Sequence, residues 1–540
     1  MTVPVPRTPL SVAVDVPTFS WEFPYPSRRM PLLARNVVAT SQPLAAQAGL
    51  RMLLRGGNAV DAAVATAIAL TVVEPTMNGI GGDAFAIVWD GERLHGLNAS
   101  GRSPGAWTRE RFAGLAAMPK KGWDCVTVPG QVAGWAALSK RFGKLPFADL
   151  FAPAIAYARD GFVVSPTVAR QWGEDAQTYG DMRDFAATFL PAGRAPRVGD
   201  TFALPEQART LELIALSGGE AFYRGDLARR IYVHAQEQGG AMTMEDLAAA
   251  KADWVEPIGR DYRGYTLHEL PPNGQGLAAL IALGILEHTN LDDYAPDSAD
   301  SVHLQLEAMK LAFADVYANV ADPNYMVLDY ERLLEPSYLA QRATRISMAV
   351  ARDPEHGLPA KGDTVYLTAA DAAGMMVSFI QSNYFTSGVV IPHTGISMQG
   401  RGSCFSLKPG HPNEVGPRKR PFHTIIPAFL SRDGKPVMSY GVMGSTMQPQ
   451  GHVQMLVRLL NFRQNPQAAS DAPRWRITEG LNVTIEDTHR PEVISELARR
   501  GHRLTVANGN MFGCAQMILR IGDGYFAASD HRRDGQAVGF

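Results

Sequence analysis

The sequence predicts an α+β layered fold whose two segments share one core. Three observations carry that reading. An Ala-rich helical pair near the start gives way to Gly-punctuated strands, helical spacing returns over 130–250, and strands dominate after a Pro/Gly-rich stretch at 353–363. From Ser41, "SQPLAAQAGLRMLLRGG" reads as a helix opened by Ser/Pro and closed by Gly56-Gly57, followed by a second helix that ends before Pro75. The strands "AFAIVWD" and "RLHGLNAS" follow, joined by a turn at Asp90-Gly91. "VPGQVAGWAALSKRFG" and "PFADLFAPAIAYARDGF" carry apolar residues at three-to-four spacing. In "SVHLQLEAMKLAFADVYANV" the residues Val302, Leu306, Met309, Phe313 and Val316 form one apolar stripe, so an amphipathic helix is expected. Beyond 363 come the strands "TVYLTA", "MMVSFIQ", "PVMSYGV", "QMILRIG" and "YFAASD", with helices near 451–461 and 492–501.

Composition narrows the function classes. The 540 residues are 46% hydrophobic and 19% charged, which suits a globular chain long enough for several units or one intertwined core. Net charge is -2, from 51 basic and 53 acidic residues, so neither nucleic acid nor an anionic membrane is an expected partner. Three scattered cysteines, Cys125, Cys404 and Cys514, make no disulfide framework and fit a reducing compartment. The Pro-rich N-terminus has no apolar run of the secretory kind, so a cytoplasmic location is expected. The run "AVDAAVATAIALTVV" at 59–73 contains Asp61 and falls short of a bilayer's thickness, which marks it as a buried helix.

Several motifs fail on physical grounds. Gly101-Arg102-Ser103-Pro104-Gly105 matches G-x-S-x-G, but Pro104 lacks the backbone N–H that an oxyanion would need there. His393, Cys404, His411 and His423 share a loop-rich region at spacings that fit no familiar zinc site, so neither metal nor cofactor is expected. "PRKRP" at 417–421 is too short for a nucleic-acid patch. "NGIGGD" at 78–83 follows a helix and precedes a strand, the reverse of a dinucleotide loop. "YGVMGSTMQPQG" places Gly444 and Ser445 between a strand and a helix, where backbone N–H groups suit an anion. Thr364, considered alone, is an ordinary strand residue.

Taken in order, "VATSQPLAAQAGLRMLLRGGNAVDAAVATAIALTVVEPTMNGIGGDAFAIV", "VPGQVAGW", "EAMKLAFAD", "GDTVYLTAADAAGMMVSFIQSN", "KRPFHTIIPAF" and "ASDHRRDGQAVGF" resemble the γ-glutamyltranspeptidase family from about Asn36 to Phe540. Within it the likeness is strongest to the branch of glutathione-hydrolase-like proteins and oxamate amidohydrolase. The resemblance implies a four-layer αββα sandwich of the N-terminal-nucleophile hydrolase type. It also implies a precursor cut at Asp363-Thr364, giving a large-chain segment 36–363 after an extension 1–35, and a small-chain segment 364–540. The two chains of one precursor would then be each other's partners, and homo-oligomers of that heterodimer are left open.

The implied chemistry has a clear physical basis. A freed α-amino group titrates near about 8, so a useful fraction is neutral and can take the Thr364 hydroxyl proton as the oxygen attacks an amide. Gly444 and Ser445 match the family's oxyanion donors. Residues matching its substrate-binding positions depart from the family pattern. Ser100 replaces the carboxylate-binding Arg, with Arg102 two residues on, and His423-Thr424 replaces a Ser-Ser pair. Cys404 replaces the acidic partner of the donor's ammonium, and Arg401 a Glu/Gln. Gln381 aligns with the threonine that hydrogen-bonds the nucleophile, and Asn383 is kept. A pocket that loses a carboxylate and gains Arg401 should take an anionic acyl group. The expectation is an amidohydrolase for a small acidic amide such as oxamate. The competing readings are a glutathione hydrolase or γ-glutamyl transferase, with Arg102, Arg401 and His423 rebuilding the carboxylate site, and an unprocessed homologue with a binding role.

Overall fold

The computed structural model describes residues 25–26, 29–354, 363–384 and 386–540. Most of the expected extension 1–35, and most of the expected linker 353–363, lie outside them. Fourteen strands pair, antiparallel throughout, into two seven-stranded sheets. They are β1 (Leu32–Ala34), β2 (Val37–Thr40), β3 (Asp83–Trp89), β4 (Leu94–Ala99), β5 (Asp253–Val255), β6 (Ile258–Tyr262), β7 (Tyr265–Glu269), β8 (Asp363–Ala370), β9 (Met376–Tyr384), β10 (Ala428–Arg432), β11 (Lys435–Met443), β12 (Cys514–Ile521), β13 (Gly524–Ser529) and β14 (Gln536–Gly539). One sheet runs β1-β13-β12-β11-β10-β7-β6 and the other β14-β2-β8-β9-β3-β4-β5. Each draws strands from both sides of position 363, so neither side could close its sheet alone.

Three apolar clusters fill the three spaces of a four-layer stack. The first joins Val60, Val64 and Ile68 of a helix to Ala84, Ala86, Leu367 and Phe379 on one face of the second sheet. A middle cluster of Phe85, Ile87, Tyr366, Ile380, Phe429 and Ile518 lies between the sheets. The third joins Leu280, Leu306 and Phe313 to Leu430, Val442 and Met517 on the outer face of the first sheet. Consecutive residues of β3 divide between the first two clusters, as period-2 alternation requires. The result is helices, sheet, sheet, helices, the αββα order that the family resemblance implied.

The outer helices follow from local chemistry. In α2 (Ala59–Val73) every residue is buried, and Asp61, the one charge in that run, belongs to a capping box with Asn58. Its carboxylate also accepts from the Leu145 N–H at 3.1 Å, although burial pushes its pKa up. α1 (Pro43–Leu54) crosses α2 at Gly49, where an added Cβ would sit 2.2 Å from Thr66 Oγ1 and 2.8 Å from the Ala62 carbonyl oxygen. The helix expected to be amphipathic, α5 (Ala299–Asn319), is instead buried on every face from Ser301 to Phe313. α4 (Leu277–Leu286) covers its apolar side, while main chain from 347–352 covers its polar one. Among the described residues no helix is long and apolar enough to cross a membrane.

Two glycines give opposite tests of this packing. Gly49→Ala should lower stability by about 1–3 kcal/mol through overpacking. Gly173→Ala, in α3 (Pro166–Tyr179) where the added methyl meets nothing, should raise it by about 0.5–1 kcal/mol. Thermal melts of the two variants check both signs.

Candidate active site

β8 lies inside its sheet between β2 and β9, and its residues alternate in direction. Val365, Leu367 and Ala369 join the cluster facing the helices, while Tyr366 and Ala370 face the other sheet. Thr364 shares the parity of Tyr366, which directs it into the space between the sheets. It is fully buried there. The ladder with β9 is irregular at this point: Asp363 pairs with Tyr384 and Val365 with Gln381, so Thr364 alone faces two residues, Ser382 and Asn383.

That irregularity selects the hydroxyl partner. Thr364 Oγ1 donates to Ser382 Oγ at 3.2 Å and accepts from Gln448 Nε2 at 3.4 Å. The expectation of Gln381 in this role is corrected. Gln381 has the parity of Phe379 and points toward the helices, where it donates to Ala67 O at 2.8 Å and Asn78 Oδ1 at 2.7 Å and accepts from Trp135 Nε1 at 3.1 Å. A one-residue offset in an alignment moves a strand side chain to the opposite face.

From Thr364 two routes of contacts converge on Arg401. On one side Tyr384 N–H donates to Ser382 Oγ at 2.6 Å, and the Tyr384 ring lies 4.5 Å beneath the Arg401 guanidinium. On the other, Gln448 N–H donates to the Ser445 carbonyl at 3.2 Å, and Gln275 Nε2 bridges the Ser445 and Thr424 carbonyls. Arg401 Nη1 then donates to Thr424 Oγ1 at 2.8 Å. Gly444 and Ser445 lie between the end of β11 and the start of α6 (Met447–Leu456), so the positive end of a helix dipole faces this turn. Their φ angles are 125° and 56°, and Tyr384 has φ 68°. Two non-glycine residues in the left-handed region, both in this ring of contacts, store backbone strain of order 1–3 kcal/mol each.

The charges around the ring are unequal. Arg401 is fully buried, and its Nε and Nη2 have no hydrogen-bond partner among the described residues. His423 is also fully buried and donates Nε2–H to Asp83 Oδ2 at 3.1 Å, while its Nδ1 accepts from the Ile425 N–H at 3.3 Å. Burial, reinforced by nearby Arg401, pushes the His423 pKa down to about 3, so the ring is neutral. Cys404 Sγ stands 3.9 Å from Arg401 Nη1, and burial holds its thiol protonated.

Other sequence-predicted residues are engaged elsewhere. Arg102 pairs with Asp322 at 3.0 Å and donates to the Arg418 carbonyl at 3.2 Å. Ser100 Oγ donates to Asn98 Oδ1 at 2.6 Å. Asn383 Nδ2 donates to Ser397 Oγ at 3.1 Å, leaving its Oδ1 without a partner among the described residues. Asp363 occupies the first position of β8, opposite Tyr384. Sequence reasoning missed Ser382, Tyr384, Gln275 and Gln448. Ser382 lies inside the quoted strand segment, Tyr384 directly follows it and Gln448 lies inside "MQPQG", but without pairing register nothing marks them. His303, Glu307 and His502 form a buried group with possible ligand atoms within 4.8 Å of one another. Its atoms already serve each other and the chain: His303 Nδ1 meets His502 Nε2 at 2.8 Å, Glu307 pairs with Lys310, and Glu307 Oε2 accepts from the Arg352 N–H at 3.1 Å.

Residues 45–540 match the family model described as Gamma-glutamyltranspeptidase. The chain is 39% identical over 520 residues to the glutathione hydrolase-like YwrD proenzyme of Bacillus subtilis, covering 94% of this chain and 98% of that one. It is 37% identical over 516 residues to the oxamate amidohydrolase proenzyme of Klebsiella pneumoniae, covering 92% and 97%. Among solved structures it is similar to a cephalosporin acylase from Bacillus halodurans, at 48% identity and TM-score 0.92, covering 96% and 99%.

Neutral buried histidines make the fold acid-sensitive. Burial is the main cause in each of three, holding His423 at about 3 and His268 and His489 at about 4. The unfolded chain protonates them near about 6.5, so it binds more protons than the folded chain below that pH. Stability is therefore complete above about 6.5 and falls as pH drops toward 4. Melting temperatures recorded from pH 8 to pH 4 should be flat and then decline, and His423→Gln should decline less steeply.

Proposed function

Because the chain belongs to the gamma-glutamyltranspeptidase family, we propose that it is a proenzyme that cuts itself between Asp363 and Thr364. It then hydrolyses a small amide whose acyl part carries a carboxylate, oxamate being a simple case. The family membership and the named hydrolases among its relatives make it an enzyme of the hydrolase class. The observation that carries the finer reading is Arg401, a buried cation with two nitrogens, Nε and Nη2, unengaged among the described residues, joined through Tyr384 and Ser382 to Thr364.

In the uncut chain the Thr364 nitrogen is a peptide nitrogen and has no basic lone pair. Cutting changes that. Oγ1 attacks the Asp363 carbonyl carbon, the C–N bond breaks, nitrogen gains a proton, and water hydrolyses the resulting ester. The freed α-amine then serves as base for Oγ1 in each turnover. Attack on the substrate amide forms a tetrahedral oxyanion, which the Gly444-Ser445 turn at the start of α6 is placed to stabilise. Collapse expels the amine, and water releases the acid from the acyl-enzyme.

Arg401 defines the acyl group. Its Nη1 is held by Thr424, and the open Nε and Nη2 form the edge of the guanidinium that grips a carboxylate with two parallel hydrogen bonds. Among the described residues no carboxylate pairs with Arg401, and Cys404 stands where relatives of the glutamyl-transferring kind have an acid for the donor's ammonium. A γ-glutamyl donor would bring an ammonium group toward an uncompensated cation. Arg102 and His423, which a rebuilt glutamyl site would recruit, are committed to Asp322 and Asp83.

Two experiments test these statements. On a denaturing gel the 58.5 kDa chain should resolve into pieces of about 39 and about 19 kDa, in proportion to 363 and 177 residues, and Thr364→Ala should stay whole and inert. An intact wild-type band would sink the processing step. Arg401→Met and Arg401→Lys should each raise KM for a carboxylated amide by about tenfold to a hundredfold, the worth of lost hydrogen bonds to a charged group. Glutathione should be a poor substrate beside oxamate in the same assay, and efficient glutathione turnover would overturn the acyl assignment.

A further inference from the structure

We propose that Gln448 is a catalytic residue, resting on the reading of Thr364 as nucleophile: its side-chain amide holds the negative charge that builds on Thr364 Oγ1. Gln448 is fully buried at the start of α6. Its Oε1 accepts from the Ile426 N–H at 2.9 Å, and this fixes the amide orientation so that the NH2 group faces the threonine. Nε2 donates to Oγ1 at 3.4 Å, long for a bond to a neutral hydroxyl and of the kind that tightens as charge develops. Oγ1 turns its own hydrogen toward Ser382 Oγ, so its lone pair lies toward Gln448.

The demand for this donor is greatest when Oγ1 is a leaving group. In acylation the Oγ1 proton passes to the α-amine as the Oγ1–C bond forms, and the amide C–N bond breaks with a proton going to the departing nitrogen. In deacylation water adds to the ester carbon and gives a proton to the α-amine. The C–Oγ1 bond then breaks, its electron pair goes to Oγ1, and the ammonium returns the proton. Between bond breaking and proton return, Oγ1 carries negative charge, with the Gln448 N–H aimed at it. A neutral amide cannot give up its proton there, so its contribution is electrostatic, separate from the acid-base work of the α-amine. A glutamate at this position would keep the bond from Ile426 and turn the donor toward Oγ1 into a second acceptor.

The test uses Gln448→Glu and Gln448→Met in the full-length protein, followed by self-cleavage on a gel and by turnover of a chromogenic carboxylated anilide. Loss of one oxyanion donor costs about 10²–10³ in kcat, and a similar loss is expected in both variants, with melting temperature unchanged and KM no higher than the parent's, since slower deacylation lowers it. A pre-steady-state burst of about one aniline per processed chain should precede the slow phase, because deacylation suffers more than acylation. Where a variant stays uncut, slowed self-cleavage at unchanged melting temperature is the supporting result, since the same oxygen attacks Asp363. Parental kcat without a burst overturns the proposal, and so does a kcat loss matched by a lower melting temperature and a higher KM. Thr364→Ala in the same assay separates the failures. Turnover there removes the nucleophile reading itself, whereas an inert Thr364→Ala beside an active Gln448→Glu removes Gln448 alone.

Discussion

The strict alternation of a strand locked inside a sheet governs this molecule's chemistry. β8 cannot rotate, because β2 and β9 hydrogen-bond it on both edges and apolar side chains fill the layers above and below. Its odd-numbered residues are committed to the helix layer, so its even-numbered ones must enter the space between the sheets. Thr364 is therefore delivered, fully buried, to the layer where Gln448 of α6 donates to its hydroxyl, and the Gly444-Ser445 turn is tied to Gln448 by a backbone hydrogen bond. The bulge opposite Thr364 adds a residue to β9, and through it Ser382 meets the hydroxyl and Tyr384 turns to lie under Arg401.

The second constraint is a buried charge, Arg401, that pairs with no carboxylate among the described residues. Burying a guanidinium with two unengaged nitrogens is costly, since a buried polar group without a partner forfeits about 1–3 kcal/mol and a charged one more. A fold keeps such a feature where a ligand completes it. Around Arg401 the surroundings are arranged to hold it without satisfying it: Thr424 takes one N–H, the Tyr384 ring supports one face, and His423 stays neutral with its Nε2–H donated to Asp83. The cation is thus pre-oriented before an anion arrives, and positive-φ geometry at Tyr384 and Ser445 is part of what holds that arrangement.

Much of the fold was legible in the sequence because periodicity and punctuation are local. Gly56-Gly57 and Pro75 bounded two helices correctly, and the strands after 363 were visible as apolar runs. The helix 299–319 was harder: its apolar stripe gave an amphipathic reading, and only tertiary contacts of His303, Glu307 and Lys310 with 347–352 and His502 bury the other face. The site divided along the same line. Thr364, Ser445, Arg401 and Thr424 came from motif resemblance and lie on one ring of contacts, with Gly444 and His423 next to it in the chain. Gln381 failed because alignment without register cannot distinguish the two faces of a strand. Arg102 failed as a free cation because its partner Asp322 lies far away in sequence. Gln275 and Gln448 are amides on the far sides of the ring, and nothing local in their segments announces a contact with the nucleophile's surroundings.

The most direct measurement is a mass-spectrometric map of the purified protein after a brief incubation with a carboxylated amide and an acid quench. The account predicts a peptide that begins at Thr364, "TVYLTAADAAG", carrying the acyl mass on its first residue and absent from the Thr364→Ala protein. An acyl group on any other residue, or Thr364 still joined to Asp363 in protein that turns over the amide, would contradict it.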